Sequence, residues 1–288
     1  MTKLFSILIY KIITFLDIFL YLITRRSFKL NLIDYLEKDS LKKKKILGNE
    51  FTFFVPNSLV DIRLKNIFKD EPETINWINN FSNEKKIIFW DVGANIGLYS
   101  IYASQKFKNI EIVSFEPSPS NLKILTRNIS LNNLKNKIKI NQFPLSNKEN
   151  QYLEMNESDF LYGSALNVFG EKIDFEGNEI KSKNGYKIFG TTIDFILKNN
   201  FLNCPDYLKL DVDGIEHLIL SQADELFKNN NLKSILVEIN ENFSLQHETI
   251  LNIMKTNNFR MVKKEQAPKE KLADKFRETY NYIFERIK

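Results

Sequence analysis

From residue 87 onward, two kinds of hydrophobic spacing alternate along the chain. Short, nearly unbroken apolar runs rich in β-branched and aromatic residues are separated by stretches in which apolar residues recur every three or four positions. The runs predict strands at 87–91, 110–115, 138–143, 207–211 and 234–239. The intervening periodicity predicts helices at Leu98–Lys106, Pro119–Asn132, Thr192–Asn199 and Glu216–Phe227. A further helix over Glu248–Asn257 and two closing strands, Phe259–Val262 and Asn281–Glu285, complete the pattern. The fold class is therefore α/β, a mostly parallel sheet with helices on both faces, because strands covered on both sides lose the inside–outside alternation.

Upstream of this region the signals are shorter. Glu50–Val55 reads as a strand closed by Pro56-Asn57. Asp70-Glu71-Pro72-Glu73-Thr74 supplies the acids and the proline that a helix N-terminus favours, with Ile75, Trp77, Ile78 and Phe81 on its core side. The stretch from about 152 to 190 contains five glycines and little periodicity, and a long irregular segment after the third strand is a candidate lid over a substrate. The expected organisation is an apolar helix over 1–30, an extension over 31–86 with a short strand and helix, and a main domain over 87–288 carrying that insertion.

The N-terminal helix is apolar from Leu4 to Ile23 except for Lys11 and Asp17, with Ser6, Tyr10, Thr14, Asp17, Tyr21 and Thr24 forming one polar stripe. Two charges near the middle disfavour a clean membrane span, and there is no small-residue cleavage site of the kind a secretory signal carries. Three readings stay open: a helix in the membrane interface, a helix packed on the body or on a second copy in a homo-oligomer, and a span. Arg25, Arg26, Lys29 and Lys42–Lys45 follow it. Any membrane contact would place the main body on the cytoplasmic side, at the inner face. A solvated linker explains the lysines equally well.

Composition narrows the class without deciding it. The 288 residues are 43% hydrophobic and 13% aromatic, enough for a sizeable core, and the net charge of +5 arises from interleaved acids and bases. Nucleic acid is not an implied partner. Cys204 is the single cysteine, which excludes an internal disulfide and fits a reducing cytoplasm, and two histidines are too few for a His-rich metal site.

Candidate chemistry lies at the strand ends. In Phe89-Trp90-Asp91-Val92-Gly93-Ala94-Asn95-Ile96-Gly97 an apolar run meets a glycine-spaced turn, and Glu116 ends the next strand. Gly93 and Gly97 permit a sharp strand-to-helix turn whose N–H groups face a ligand, and Glu116 is placed to bind two ribose hydroxyls. A dinucleotide fingerprint would need glycine at 93, 95 and 98, where this chain has Asn95 and Leu98. S-adenosylmethionine has no phosphate, so it tolerates a side chain at 95, and its sulfonium benefits from an acid such as Asp91. Asp91, Gly93, Asn95, Gly97 and Glu116 are therefore the cofactor-binding candidates. A nicotinamide-dependent oxidoreductase on a Rossmann-like sheet is the rival enzyme, lacking an evident Ser, Tyr and Lys relay. A membrane-tethered, non-catalytic binding module is the rival outside enzymology.

Four blocks carry a resemblance to the FkbM-type methyltransferases: Glu71-Pro72-Glu73-Thr74, Trp90 to Ser100, Phe115-Glu116-Pro117-Ser118-Pro119, and Lys209 to Leu218. The likeness covers roughly residues 50 to 288 and leaves the N-terminal helix outside. It implies a class I, Rossmann-like, S-adenosylmethionine-dependent fold: seven strands, mostly parallel, with one antiparallel strand near the C-terminus. It also implies O-methylation of a hydroxyl, often on a sugar or secondary metabolite. Many relatives have Glu where this chain has Asp213.

The fourth block supports a catalytic location on its own residues. Tyr207 to Asp211 is a strand whose C-terminal end carries Asp211 and then Asp213, and ligands of open α/β sheets sit at such ends. Methyl transfer to a hydroxyl needs a general base or an acidifying metal. Asp211 is the first candidate base, with Asp213 and Glu238 behind it, and nothing in the spacing requires a metal. Asp213 has a competing role as a helix cap. His217, on the first turn of that helix, reads as a structural histidine. Tyr162 to Asn167 in the expected lid offers hydroxyl and amide groups beside an aromatic ring, which suits a sugar and equally a plain polar loop. The resemblance favours a glycan or glycolipid hydroxyl, and the apolar N-terminal helix would suit a lipid-linked acceptor at the inner membrane face.

Overall fold

The computed structural model describes residues 2–180, 184–267 and 272–287. It opens with a helical arm, α1 (Thr2–Thr24) and α2 (Phe28–Asp39), followed by a hairpin of β1 (Leu41–Ile46) and β2 (Asn49–Phe54) and by α3 (Ser58–Asn66) and α4 (Pro72–Asn79). The main domain begins with β3 (Ile87–Val92), α5 (Leu98–Lys106), β4 (Ile110–Phe115), α6 (Pro119–Leu131) and β5 (Ile138–Asn141). Three inserted strands follow, β6 (Gln151–Asn156), β7 (Val168–Phe169) and β8 (Gly185–Gly190). The chain continues through α7 (Ile193–Lys198), β9 (Tyr207–Leu210), α8 (Glu216–Leu220) and α9 (Asp224–Lys228). It closes with β10 (Ser234–Asn240), α10 (Ser244–Thr256), β11 (Phe259–Glu265) and β12 (Thr279–Arg286).

Seven strands form the central sheet in the order β11-β12-β10-β9-β3-β4-β5. All pairings from β10 to β5 are parallel, whereas β12 runs antiparallel to both β10 and β11. This is the fold implied by the resemblance, down to the single reversed strand near the C-terminus. Alternate residues feed two hydrophobic layers. Phe89, Ile112 and Leu236 face Ile78, Ile101 and Ile124, while Trp90, Val113 and Val237 face Ile219, Leu226 and Ile250. Trp77 is in the core, and its indole N–H donates to Ser234 Oγ at 2.9 Å. The winding reverses where β3 lies between β4 and β9, which opens a crevice at their C-terminal ends.

Three local readings change. The basic run Lys42–Lys45 is β1 rather than a linker, paired with β2 through a two-residue turn in which Leu47 and Gly48 both have positive φ, 48° and 86°. The stretch from 152 to 190 contains a three-stranded antiparallel sheet of order β7-β6-β8, so pairing orders part of it, while among the described residues 157–167 and 170–180 remain largely irregular. The expected helix Glu216–Phe227 is broken into α8 and α9, because the Asp194 carboxylate accepts the Glu225 N–H at 2.8 Å and starts a new helix.

The arm joins the body at one end. Asp17 accepts from Ser27 Oγ at 2.9 Å and from the Lys29 N–H at 3.0 Å, capping α2, whose Glu37 pairs with Arg127 of α6 at 2.7 Å. No residue of α1 is buried, and it is long and apolar enough to cross a membrane, with a mean hydropathy of 2.0.

Candidate active site

The turn after β3 is built on two glycines with different duties. Gly93 has φ +83°, and a Cβ there would lie 1.7 Å from the Asp211 carbonyl oxygen, so only glycine lets the tips of β3 and β9 meet. Gly97 also has φ +83°, and its Cβ would stand 2.4 Å from Leu125 Cδ1, which makes it a packing position between α5 and α6. Asn95 sits between them at φ 50°. Its N–H donates to Glu116 Oε2 at 2.7 Å and its Nδ2 to the Ser164 carbonyl at 2.8 Å, while Oδ1 is buried without a partner.

Glu116 ends β4 and is 5% exposed. Its other oxygen accepts the Ser118 N–H at 2.9 Å. Burial pushes its carboxyl up to about 8, against the pull of these two N–H donors. Glu116 and Gly93 line a cavity of about 440 Å³ that also reaches Asp211, Asp213 and Glu238, a volume within the usual range for small-ligand sites. Asp91 does not line it. Its carboxylate is fully buried beneath the turn and accepts from Ser100 Oγ at 2.5 Å.

Asp91 is instead part of a buried ionic group that sequence reading did not identify. Lys209 lies beside Asp91 in the register of β3 and β9, is 1% exposed, and places Nζ 2.5 Å from Asp211 Oδ2. Asp211, Glu71 and Asp91 hold its ammonium above the ordinary lysine value despite burial. In turn, Lys209 opposes the upward push that burial gives Glu71 and Asp91. Tyr99 completes the wall, its phenol held well above its ordinary value by burial and by Glu71. A single lysine inside the apolar run Tyr207-Leu208-Lys209-Leu210 was the available signal, since a buried charge requires partners.

The catalytic candidates do meet. Asp211, Asp213 and Glu238 each bring an oxygen within 4.8 Å of the others. A divalent cation would fit such a spacing, but the Lys209 ammonium already supplies positive charge to Asp211. Asp213 is not a helix cap. With φ 63°, it turns its Oδ2 to the Leu166 N–H at 2.7 Å, tying the site to the 157–167 loop, and burial raises it to about 6. Glu216 serves the following turn instead, accepting from the N–H groups of Val212 at 2.8 Å and Gly214 at 3.0 Å. Burial, with Asp211 and Asp213 close by, holds Glu238 well above the carboxylate range. His217 is buried edge-on against Phe243, which lowers its pKa and fits the structural reading.

The loop is fastened from two sides. Arg63 Nε donates to the Gly163 carbonyl at 2.7 Å, and Asn121 both donates to Ser164 O at 3.0 Å and accepts the Gly163 N–H at 2.9 Å. Ser164 to Asn167 thereby form one wall of the cavity.

The chain is similar to known methyltransferases in sequence and fold. The methyltransferase FkbM domain matches residues 91–261. Methyltransferase sdnD of Sordaria araneosa is 30% identical over 158 residues, 47% of this chain and 60% of that protein. Among solved structures, the methyltransferase SMU.776, complexed with S-adenosylhomocysteine, superposes with a TM-score of 0.50 at 10% identity over 85% of this chain and 56% of that one. A structure described as an S-adenosylmethionine-dependent methyltransferase from Streptococcus mutans gives 0.49 at 11% identity, covering 85% and 55%. The chain thus spans little more than half the length of these relatives.

Proposed function

The chain belongs to the FkbM methyltransferase family, an S-adenosylmethionine-dependent class, and from this premise we propose that it methylates a hydroxyl of a sugar in a glycan or glycolipid. The observation that carries the proposal is one cavity joining the Gly93–Glu116 turn to the acids at the ends of β9 and β10. Glu116 would hold the ribose hydroxyls, Gly93 would let backbone approach the ligand, and the unpaired Asn95 Oδ1 offers a buried acceptor for a ligand N–H or O–H. The bound cofactor supplies an electrophilic methyl group on a sulfonium.

The chain's own residues do the rest. Asp211, fixed by Lys209 at the tip of β9, takes the proton of the acceptor hydroxyl as its oxygen gains the methyl group. Glu238, its carboxyl held well above the carboxylate range by burial and by Asp211 and Asp213, hydrogen-bonds the acceptor. Asp213 couples the pair to the loop, so that closure of the 157–167 segment excludes water and fixes the acceptor's approach. The exposed α1 supports a lipid-linked acceptor at the inner membrane face.

The test is transfer of isotopically labelled methyl from S-adenosylmethionine to lipid-linked glycans and to soluble metabolites. Label in the glycan fraction supports the reading. Label confined to soluble metabolites would remove the membrane and glycan parts, and saturable binding of a nicotinamide cofactor in its place would remove the whole.

A further inference from the structure

Beyond Glu238 the cavity ends in polar atoms that the reaction does not use. β12 carries Thr279 and Asn281, two residues apart and so on one face, and Asn281 lies directly across from Glu238 of β10. Asn281 Nδ2 donates to Glu73 Oε1 of α4 at 2.9 Å. Glu73, Thr279 and Asn281 are only 3%, 8% and 5% exposed, yet Glu73 Oε2, Thr279 Oγ1 and Asn281 Oδ1 have no hydrogen-bond partner among the described residues. A polar atom buried without a partner is costly, and three lie together in the wall of one cavity. Among the described lining residues, acids outnumber the two bases, Arg63 and Lys209, and the latter is already paired.

We propose that Glu73, Thr279 and Asn281 form an acceptor-recognition subsite that takes hydrogen-bond donors, hydroxyl or ammonium, flanking the methylated hydroxyl, and rejects acceptors with a carboxylate or phosphate there. The inference rests on the methyltransferase reading and sharpens it. The unpaired atoms are acceptors or a hydroxyl, so a ligand must bring O–H or N–H groups to satisfy them. They stand one strand beyond Glu238, where neighbouring groups of a bound sugar would fall. An anionic group would meet the carboxyls of Glu73 and Glu238, while Lys209, the lysine among the described lining residues, is already paired with Asp211.

The experiment uses the full chain loaded with S-adenosylhomocysteine, and saturation-transfer NMR with methyl β-D-glucoside, methyl β-D-glucosaminide and methyl β-D-glucuronide. The first two should bind at least about tenfold more tightly than the glucuronide, since a buried polar site discriminates strongly against groups it cannot pair. Thr279→Val should weaken both by about fivefold or more without lowering the melting temperature, because the hydroxyl it removes has no partner in the fold. Glu73→Gln, which turns an acceptor into a donor, should narrow the preference against the glucuronide. Equal binding of all three glycosides, no binding of any, or variants that leave the ranking unchanged would overturn the subsite. Failure of S-adenosylhomocysteine to bind would overturn the methyltransferase reading and the subsite with it.

Discussion

Replacing Lys209 with methionine isolates the charge at the centre of the site. Methionine roughly preserves the buried volume, so the packing on Tyr99 and the neighbouring strands is largely kept. What disappears is the ammonium 2.5 Å from Asp211, together with its compensation of Asp91 and Glu71. Stranding one side of a buried ion pair costs about 3–5 kcal/mol, a large share of the stability of a typical domain. Lys209 has its pKa raised on folding above the ordinary 10.5, so its contribution is fully present below that value and is lost only as pH rises through the folded one. Urea unfolding at pH 7.5 should therefore show the whole deficit. In the variant, Asp91 and Glu71 rise further and take up protons as pH falls toward 5, so the deficit should shrink there. Adding Asp211→Asn to Lys209→Met should recover about 1 kcal/mol or more at pH 7.5. A deficit below about 1 kcal/mol, or one that does not change with pH, would refute the view that Lys209 neutralises these acids.

Three further outcomes follow from the same geometry. Gly93→Ala forces a Cβ to 1.7 Å from the Asp211 carbonyl at φ +83°, so calorimetry should find S-adenosylmethionine binding abolished and the melting temperature lowered; unchanged binding would show that β3 and β9 need not meet. Glu116 rises from 4.5 to about 8 on folding, so its contribution is full below pH 4.5 and is lost as pH climbs to 8. The wild-type melting temperature should then fall over that window more steeply than that of Glu116→Gln, and parallel curves would contradict the assignment. Asp211→Asn should lower kcat by about a hundredfold or more while sparing S-adenosylmethionine affinity, and a chelator should leave wild-type activity intact because Lys209 supplies the local positive charge. Loss of activity with a chelator, restored by a divalent cation, would reverse that conclusion.

The sequence reveals some of these features and hides others for physical reasons. β3, β4, β9 and β10 are buried on both faces, and their unbroken apolar runs made both their existence and their C-terminal ends readable. Gly93, Glu116, Asp211, Asp213 and Glu238 could be placed on one rim for the same reason, since each lies at or just beyond the end of such a run. β1 escaped because its lysines reach solvent and ion-pair partners such as Asp61, so its strand character appears only in its pairing with Phe51 and Phe53. Asp91 looked like a ligand for a sulfonium because its distance along the chain from the turn is small, but it points into the buried layer toward Ser100. Lys209 was visible as a charge where none is tolerated alone, and that anomaly carried more information than its neighbours. Glu73 reads as an acid of a helix N-terminus and Asn281 as the start of a closing strand, and nothing local links the two across 208 positions. Only the reversed β12, which sets Asn281 across from Glu238 and under α4, brings them together. The proposed acceptor subsite therefore depends on the antiparallel strand, whereas the proposed cofactor turn depends on short-range glycine geometry, so substitutions in β12 and in the 93–97 turn should act on the two separately.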